Sequence, residues 1–284
     1  MKIGIIGLGH MGKNHLKELK NNSNFKLNAL FDIQKFSSDI PFFDNLDDFL
    51  KQDNDIVIIA TPTFTHLDIA KKVLPKVKTV LIEKPLAMNL KEIKEFEKYS
   101  KSHDNNIAVG FCERFNPCIR ALKKILDNEL LISINIQRFS SFPQRIQDVG
   151  ILQDLAVHDL DLLHFLSNQK ISEVKILKNY TQECHQESES IISCKMQNFI
   201  ACLHQSWNST QKIRKIQIIT NKHFYEADLI NLVLLKDNVK IELEKHSTLF
   251  KEHEDLFKFA LNQKNDLASI QDAFLVQEIL EKHQ

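Results

Sequence analysis

MKIGIIGLGHMGKNH, residues 1–15, carries four of the six glycines of this 284-residue chain. Gly7, Gly9 and Gly12 form a G-x-G-x-x-G pattern between an apolar run and a helical pattern, which predicts a strand, a tight turn and a helix N-terminus. Gly7 permits the turn, Gly9 lets a pyrophosphate approach the backbone, and Gly12 lets the helix pack on the strand. The N–H groups and the dipole at the helix start favour phosphate. The stretch therefore predicts a dinucleotide-binding turn.

An acidic residue, Asp32, stands twenty positions after Gly12, at the end of the second predicted strand. A carboxylate at this place can accept hydrogen bonds from an adenosine ribose. It would also repel a 2′-phosphate, by up to about 4 kcal/mol at ~4 Å and an effective dielectric constant of ~20. Because no arginine follows directly, we expect NAD rather than NADP as the cofactor. The alternative is an acid that merely ends a strand.

Strand and helix patterns alternate over the first 117 residues, which predicts an α/β domain with a doubly wound parallel sheet. From residue 118 to residue 284 a series of short strands predicts an α+β domain with an open, mostly antiparallel sheet. We expect the first domain to bind the dinucleotide and the second to bind substrate and to mediate oligomerisation. The closing helices, near 248–262 and 268–282, can pack back on the first domain.

In a doubly wound sheet, ligands bind at the carboxyl ends of the strands. Two segments with polar side chains follow buried strands here, ATPTFTH at 60–66 and EKP at 83–85. Together with the glycine turn they complete the predicted cofactor-binding set, which adds His10, Met11, Thr61, Pro62, Thr63, His66, Glu83, Lys84 and Pro85. A lysine at such a strand end points toward the ligand, although an isolated lysine is more often a surface residue.

Composition narrows the class of protein. Lysine plus arginine and aspartate plus glutamate number 37 each, so no net charge favours nucleic acid or an anionic membrane. The five cysteines are odd in number and form no C-x-x-C, which predicts free thiols in a reducing compartment. No apolar stretch approaches the ~20 residues that span a bilayer, and the N-terminus does not read as a signal peptide. We expect a cytoplasmic protein.

Five segments in order along the chain carry a family resemblance: GLGHMG (7–12), ATPTFTH (60–66), EKPLA (83–87), GFCERFNP (110–117) and DLAVHDLDLL (154–163). The chain resembles the glucose-fructose oxidoreductase / inositol dehydrogenase / MocA (Gfo/Idh/MocA) family of NAD(P)-dependent oxidoreductases. The resemblance implies that Lys84, Asp154 and His158 are the catalytic residues. Ala156 stands where this family usually has glycine, a small change that should preserve the geometry.

Oxidation of an alcohol requires loss of the hydroxyl proton and transfer of a hydride. His158 suits the role of general base, because the pKa of an imidazole lies near neutral pH. On a helix, Asp154 would share a face with His158 and orient its ring. Lys84 would stabilise alkoxide character on the reacting oxygen. We expect no metal: the twelve histidines show no ligand-spaced cluster beyond Asp154, His158 and Asp161, which this chemistry explains.

A narrower resemblance rests on VGFCERFNP (109–117) and FPQRIQDVGILQDLAVHDLDLL (142–163). These segments are similar to the UDP-N-acetylglucosamine 3-dehydrogenases of the family, although Cys112 stands where that group usually has histidine. The similarity implies oxidation of the sugar 3-hydroxyl, for a pyridoxal-phosphate aminotransferase partner that installs an amine for a modified lipid A. Arginine forks suit a diphosphate. The predicted substrate-binding residues are Arg114, Asn116, Arg138, Arg145, Asp154 and His158; for each arginine alone the alternative is a surface ion pair.

Two other functions stay open at this point. The first is an NAD(P)-dependent dehydrogenase of an inositol, a free sugar or a UDP-uronic acid. The second is a non-catalytic NAD-binding regulator, which would keep the glycine turn and lose the catalytic residues. A homodimer or homotetramer is expected by resemblance alone.

Overall fold

The computed structural model describes residues 1–143, 149–181 and 186–282. They form two compact units: the first comprises Met1–Cys112 and Ser247–Leu275, and the second comprises Glu113–His246 and the residues from Val276 onward. The predicted division into 1–117 and 118–284 differs from these units in the place of residues 113–117 and of residues 247–275. As a statement about separate folding domains, that division stays a prediction.

Six strands form an all-parallel sheet in the first unit. Their bounds are β1 (Lys2–Ile6), β2 (Lys26–Phe31), β3 (Phe42–Phe43), β4 (Ile56–Ile59), β5 (Thr79–Glu83) and β6 (Asn106–Gly110). The order across the sheet is β3-β2-β1-β4-β5-β6. Strands are added on one side of β1 up to β3 and on its other side from β4 onward, and doubly wound folds bind their ligands at this switch between β1 and β4. Every residue of β4 and of β5 is buried, because helices cover both faces of such a sheet.

Eight α-helices are present in the described part of the chain. They are α1 (His10–Leu19), α2 (Leu46–Phe49), α3 (His66–Val73), α4 (Leu90–Ser100), α5 (Pro117–Leu126), α6 (Val157–Ser167), α7 (Thr248–Ala260) and α8 (Ile270–Lys282). The helices α1 to α4 alternate with the strands of the first unit. The sequence places α7 far from this unit, yet α7 packs against α1 and β5, and an isolated bridge pairs Val109 with Ala268.

The second unit contains an eight-stranded sheet. Its strands are β7 (Leu131–Ser141), β8 (Ile171–Asn179), β9 (Glu189–Met196), β10 (Ile200–Ser206), β11 (Asn208–Thr220), β12 (Phe224–Asp228), β13 (Val233–Lys236) and β14 (Val239–Ile241). The order is β14-β13-β12-β11-β7-β10-β9-β8, antiparallel throughout except for the parallel pair of β7 and β10. Burial alternates along β9 and β10, as expected when one face of a sheet is covered. The predicted fold class is confirmed.

The described residues also bear on membrane-spanning helices, metal ligands and cysteines. Within residues 1–143, 149–181 and 186–282, no helix combines the length and the apolar character needed to cross a bilayer. The same residues contain no group of three or more histidine, cysteine or acidic side chains arranged to hold a metal ion. Cys118, Cys194 and Cys202 carry free thiols, and Cys184 lies outside the described residues.

Candidate functional site

The glycine turn joins β1 to α1, and its three glycines have different physical reasons. Gly7 has a φ of +90°, and a Cβ there would lie 2.6 Å from the carbonyl oxygen of Ala60. A Cβ on Gly12 would overlap the Gly7 carbonyl oxygen. Gly9 meets no such restriction, because a Cβ there would have no neighbour within 4 Å among the described residues. The fold therefore requires glycine at positions 7 and 12, whereas Gly9 leaves open space beside the backbone, and its predicted contact with a pyrophosphate stays a prediction.

The start of α1 is suited to an anion. Gly9 occupies the N-cap position, where it offers no side chain to the first-turn N–H groups, and the first turn holds no acidic residue. Such a helix start presents donors and a positive dipole end to a phosphate. His10 is exposed and Met11 half-buried in this first turn. The turn thus fits the pyrophosphate of a dinucleotide.

Asp32 directly follows β2, next to β1 in the sheet. Its Oδ2 accepts a hydrogen bond from the Leu8 N–H at 2.6 Å, and its Oδ1 accepts one from the Gln34 N–H at 2.8 Å. These bonds hold the carboxylate beside the glycine turn. Because a carboxylate oxygen accepts up to two hydrogen bonds, Asp32 retains capacity for a ribose. That role stays a prediction.

The segment after β4 contains Thr61, Pro62, Thr63 and His66. The Thr65 hydroxyl lies 2.8 Å from the Thr61 hydroxyl and 2.7 Å from the Pro62 carbonyl oxygen, which fixes the turn. His66 is buried at 1% exposure, and burial holds its pKa below the ordinary value. Its Nε2 lies 2.8 Å from the Thr61 carbonyl oxygen and its Nδ1 lies 3.0 Å from the Pro85 carbonyl oxygen. His66 thus links the loops that follow β4 and β5.

Glu83 and Lys84 stand at the end of β5 and differ in environment. Glu83 is buried at 4% exposure, with its Oε1 2.8 Å from His15 Nε2. The backbone N–H of Lys84 donates to Glu83 Oε2 at 3.3 Å. Lys84 itself is half-buried, and its peptide bond to Pro85 is cis. The hydrogen bond to Glu83 fixes the backbone of Lys84 at the carboxyl-terminal edge of the sheet.

Asp154 and His158 lie in the second unit, on one continuous helical segment. Asp154 belongs to a π-helical turn, Leu152–Ala156, and His158 is the second residue of α6. The sequence predicted ordinary α-helix here; the wider turn arises where the hydrogen bonding changes register, a feature common at functional sites. Both residues are half-buried. Their catalytic roles stay predictions.

Two of the predicted substrate-binding arginines lie in buried ion pairs of the second unit. Arg114, 5% exposed, donates from Nε and Nη2 to Asp161 at 2.8 and 2.5 Å. Arg138, 2% exposed, donates from Nε to Asp159 at 2.8 Å and contacts Glu113 at 3.4 Å. Burial disfavours the charge of Arg138, but the two carboxylates outweigh it and raise the pKa further. These pairs favour a structural role for both guanidinium groups over diphosphate binding.

Two further predicted substrate-binding residues, Asn116 and Arg145, have different outcomes. Asn116 is 4% exposed; its Oδ1 accepts a hydrogen bond from the Cys118 N–H and its Nδ2 donates to the Leu229 carbonyl oxygen. It is therefore the N-cap of α5, with Pro117 in the first helical position, as such helix starts favour. Arg145 lies outside the described residues. A substrate role for either stays a prediction.

Three buried residues of the first unit were not predicted from the sequence: His15, Glu252 and His253. His15 stands three positions after Gly12 on the buried face of α1. The helical pattern marks that face, but no sequence signal pairs His15 with residues 68 and 238 positions away. Such long-range pairs become visible only in the folded chain.

The chain is similar to known oxidoreductases. Residues 1–111 match the model of the Gfo/Idh/MocA oxidoreductases, described as an oxidoreductase family with an NAD-binding Rossmann fold. The uncharacterised oxidoreductase YrbE of Bacillus subtilis (strain 168) is 28% identical over 187 residues, which cover 60% of this chain and 55% of the relative. The inositol 2-dehydrogenase of Rhizobium meliloti (strain 1021) is 25% identical over 186 residues, covering 60% of this chain and 56% of the relative. The chain thus spans little more than half the length of these curated relatives.

Among solved structures, UDP-N-acetylglucosamine 3-dehydrogenase GnnA from Acidithiobacillus ferrooxidans has a TM-score of 0.87 and 22% identity, covering 100% of this chain and 96% of that one. At this identity the likeness concerns the fold. The prediction of NAD as cofactor is confirmed at the level of the matched family model.

Proposed function

We propose that this chain, whose residues 1–111 match the model of the Gfo/Idh/MocA oxidoreductases, is an NAD-dependent dehydrogenase of a nucleotide sugar. The substrate group is the 3-hydroxyl of UDP-N-acetylglucosamine, and the product is the 3-keto sugar. The observation that carries the proposal is a glycine turn with open space at Gly9, in a chain that also retains Lys84, Asp154 and His158. A non-catalytic NAD-binding regulator would have no need of those three residues.

The chemistry is divided among these side chains. Bound NAD supplies the hydride acceptor. His158 takes the hydroxyl proton, because an imidazole is a base of suitable strength near neutral pH. Asp154 orients the ring and stabilises its charged form. Lys84 donates a hydrogen bond to the same oxygen and stabilises its developing negative charge.

The nucleotide sugar is supported by the segments 109–117 and 142–163, which resemble the UDP-N-acetylglucosamine 3-dehydrogenases. The fold likeness to GnnA is consistent with it. In this proposal a pyridoxal-phosphate aminotransferase consumes the 3-keto sugar, toward a 3-amino sugar for lipid A, and the chain acts as a homodimer or homotetramer. The curated inositol dehydrogenases that match the chain favour an inositol as the second candidate substrate.

The test is the appearance of NADH absorbance when NAD is mixed with UDP-N-acetylglucosamine. A 3-aminotransferase and an amino donor are included to remove the keto product. UDP-uronic acids, free sugars and myo-inositol are assayed in parallel. We expect turnover with UDP-N-acetylglucosamine, and turnover with myo-inositol alone would replace the substrate assignment. The absence of turnover with every alcohol, despite NADH binding, would favour the regulator.

Two substitutions test the catalytic roles. Lys84→Ala and His158→Ala should each lower kcat by about 10²–10⁴-fold while NADH still binds. Lys91→Ala, at an exposed position of α4, is the matched control for loss of a lysine. His164→Ala, in the same helix as His158, is the control for loss of a histidine. Near-normal turnover in Lys84→Ala or His158→Ala would contradict the mechanism.

A further inference from the structure

Four titratable side chains are packed together in the interior of the first unit. His15 lies in α1, Glu83 ends β5, and Glu252 and His253 lie in α7. Glu83 is 4% exposed and the other three are 0% exposed. Buried ionisable groups are costly unless they are hydrogen-bonded or paired. A core with four of them at one place calls for a reason beyond packing.

Three of the side chains form a continuous hydrogen-bonded chain. His253 Nε2 lies 2.8 Å from His15 Nδ1, and His15 Nε2 lies 2.8 Å from Glu83 Oε1. Glu83 also accepts from the backbone N–H of Lys84. A carboxylate only accepts hydrogen bonds, so we assign a hydrogen to Nε2 of His15, which donates it to Glu83.

The state of His253 fixes the direction of the rest of the chain. Burial, and then the nearby His15, hold the pKa of His253 well below its ordinary value, so its ring is neutral. Its Nδ1 is buried with no hydrogen-bond partner within residues 1–143, 149–181 and 186–282. An orphaned N–H is rarer in protein interiors than an orphaned acceptor, so the hydrogen resides on Nε2. His253 therefore donates to His15, and His15 donates to Glu83.

Strand β6 leaves room for the Glu83 carboxylate, and helix α7 places no second negative charge beside it. A Cβ on Gly110 of β6 would lie 2.9 Å from Glu83 Oε1, so glycine there makes space for Glu83. Glu252 is also close enough to interact with Glu83. Burial, and then the charge of Glu83, raise the pKa of Glu252 well above its ordinary value, so Glu252 is protonated. Glu83 thus accepts a hydrogen bond from His15 in a cluster to which Glu252 adds no negative charge.

We propose that His15 is a positioning residue for Lys84. Through its two ring nitrogens it joins α1, which begins at the glycine turn, to the end of β5 and to α7. His15 thereby fixes the Glu83 carboxylate that holds the Lys84 backbone, and with it the distance from Lys84 to the helix start that holds the cofactor phosphates. This inference rests on the proposed function for the part that Lys84 plays in the reaction.

The test compares three variants. His15→Phe removes the hydrogen bonds of His15 to Glu83 and to His253. His253→Phe removes only the hydrogen bond between His253 and His15, so that Glu83 keeps His15 as its partner. Leu19→Ala, at a buried position of the same helix, is the control for simple loss of stability. Two readouts are used: the rate at which an amine-acylating reagent modifies Lys84, followed by mass spectrometry, and kcat and KM per folded molecule with NAD and UDP-N-acetylglucosamine.

We expect His15→Phe to change the acylation rate of Lys84 by roughly threefold or more. It should also lower kcat by roughly tenfold or more with little change in KM, because sub-ångström to 1 Å misplacements act on the chemical step. His253→Phe should shift both readouts in the same direction by less, and it decides the matter if His15→Phe does not fold. Leu19→Ala should leave both near the wild-type values.

The inference is overturned if the folded histidine variants match the wild type within twofold in both readouts, or if Leu19→Ala changes them as much. A wild-type protein with no turnover would refute the proposed function instead. In that case the acylation rates alone still decide whether His15 positions Lys84.

Discussion

Replacing Glu252 by glutamine should stabilise the protein at neutral pH, and increasingly so as the pH rises. Glu252 is 0% exposed, and neither of its carboxyl oxygens has a hydrogen-bond partner in the described part of the chain. Its raised pKa, caused by burial and then by Glu83, means that the folded state keeps a proton that the unfolded state releases. Glutamine has nearly the same shape and is neutral without that proton.

The magnitude follows from the count of protons. An unfolded glutamate has a pKa of about 4.3. Between that pH and the raised pKa of folded Glu252, the folded state binds one proton more than the unfolded state. The free energy of unfolding of the wild type then falls by up to about 1.4 kcal/mol per pH unit, a slope that the Glu252→Gln variant lacks. Below about pH 4 both states are protonated and the difference between the two proteins becomes constant.

His253 adds a slope of the opposite sign. Its lowered pKa makes the folded state less stable as the pH falls below about 6.5, where the unfolded histidine takes up a proton. Wild type and variant share this contribution, so to first order it cancels when their free energies of unfolding are subtracted. The difference between the two proteins therefore isolates Glu252.

The assay is urea unfolding followed by far-ultraviolet circular dichroism from about pH 4 to about pH 8, the range over which the linkage applies. The single tryptophan, Trp207, belongs to the second unit, so circular dichroism is the more direct probe of the helices and strands around Glu252. Glu254→Gln is the matched control, because Glu254 lies on the same helix, is partly exposed and pairs with Lys251 at 2.7 Å. A stability difference that stays flat with pH, or a Glu252→Gln variant less stable than wild type at the upper end, would refute the assignment of a protonated Glu252.

Three other perturbations have defined outcomes. Gly12→Ala should lower the free energy of unfolding by about 1–3 kcal/mol or more, because its Cβ overlaps the backbone. Gly9→Ala should change the free energy of unfolding by no more than about 0.5 kcal/mol and yet weaken NADH binding roughly tenfold. Equal thermal unfolding curves for the two variants would contradict this. Asp32→Asn should reduce the preference for NADH over NADPH by roughly tenfold or more, because it removes a like charge near the 2′-phosphate; unchanged ratios of fluorescence-derived Kd values would argue against the ribose role. Arg114→Leu should cost about 3–5 kcal/mol in urea unfolding, because it removes the guanidinium partner of the buried Asp161 carboxylate. Asp161→Leu in the same chain should restore part of the loss.

The first sheet and its glycine turn were predictable because their signals are local. A strand buried on both faces has an apolar sequence, as in β4. The positive φ of Gly7 and the overlap of a Gly12 Cβ with the Gly7 carbonyl also arise within a few residues of the turn. The parallel pairing of β7 with β10 was not predictable in the same way. Alternating burial marks a strand, but it does not state which neighbour the strand takes or in which direction.

The site was less accessible to sequence reasoning where charges meet across the fold. Arg114 and Arg138 read as diphosphate ligands because their buried partners, Asp161 and Asp159, come from a different element. The π-helical turn at Asp154 depends on a change of backbone hydrogen bonding that the spacing of apolar residues does not encode.

The most direct test of the account is a crystal structure of the chain with NADH and UDP-N-acetylglucosamine bound together, an unreactive pairing of reduced cofactor and alcohol. We expect the Lys84 Nζ and a ring nitrogen of His158 each within about 3.2 Å of the sugar 3-hydroxyl oxygen, with the pyrophosphate against Gly9. A complex in which either side chain lies beyond direct or single-water contact with the hydroxyl would contradict the proposed catalytic set.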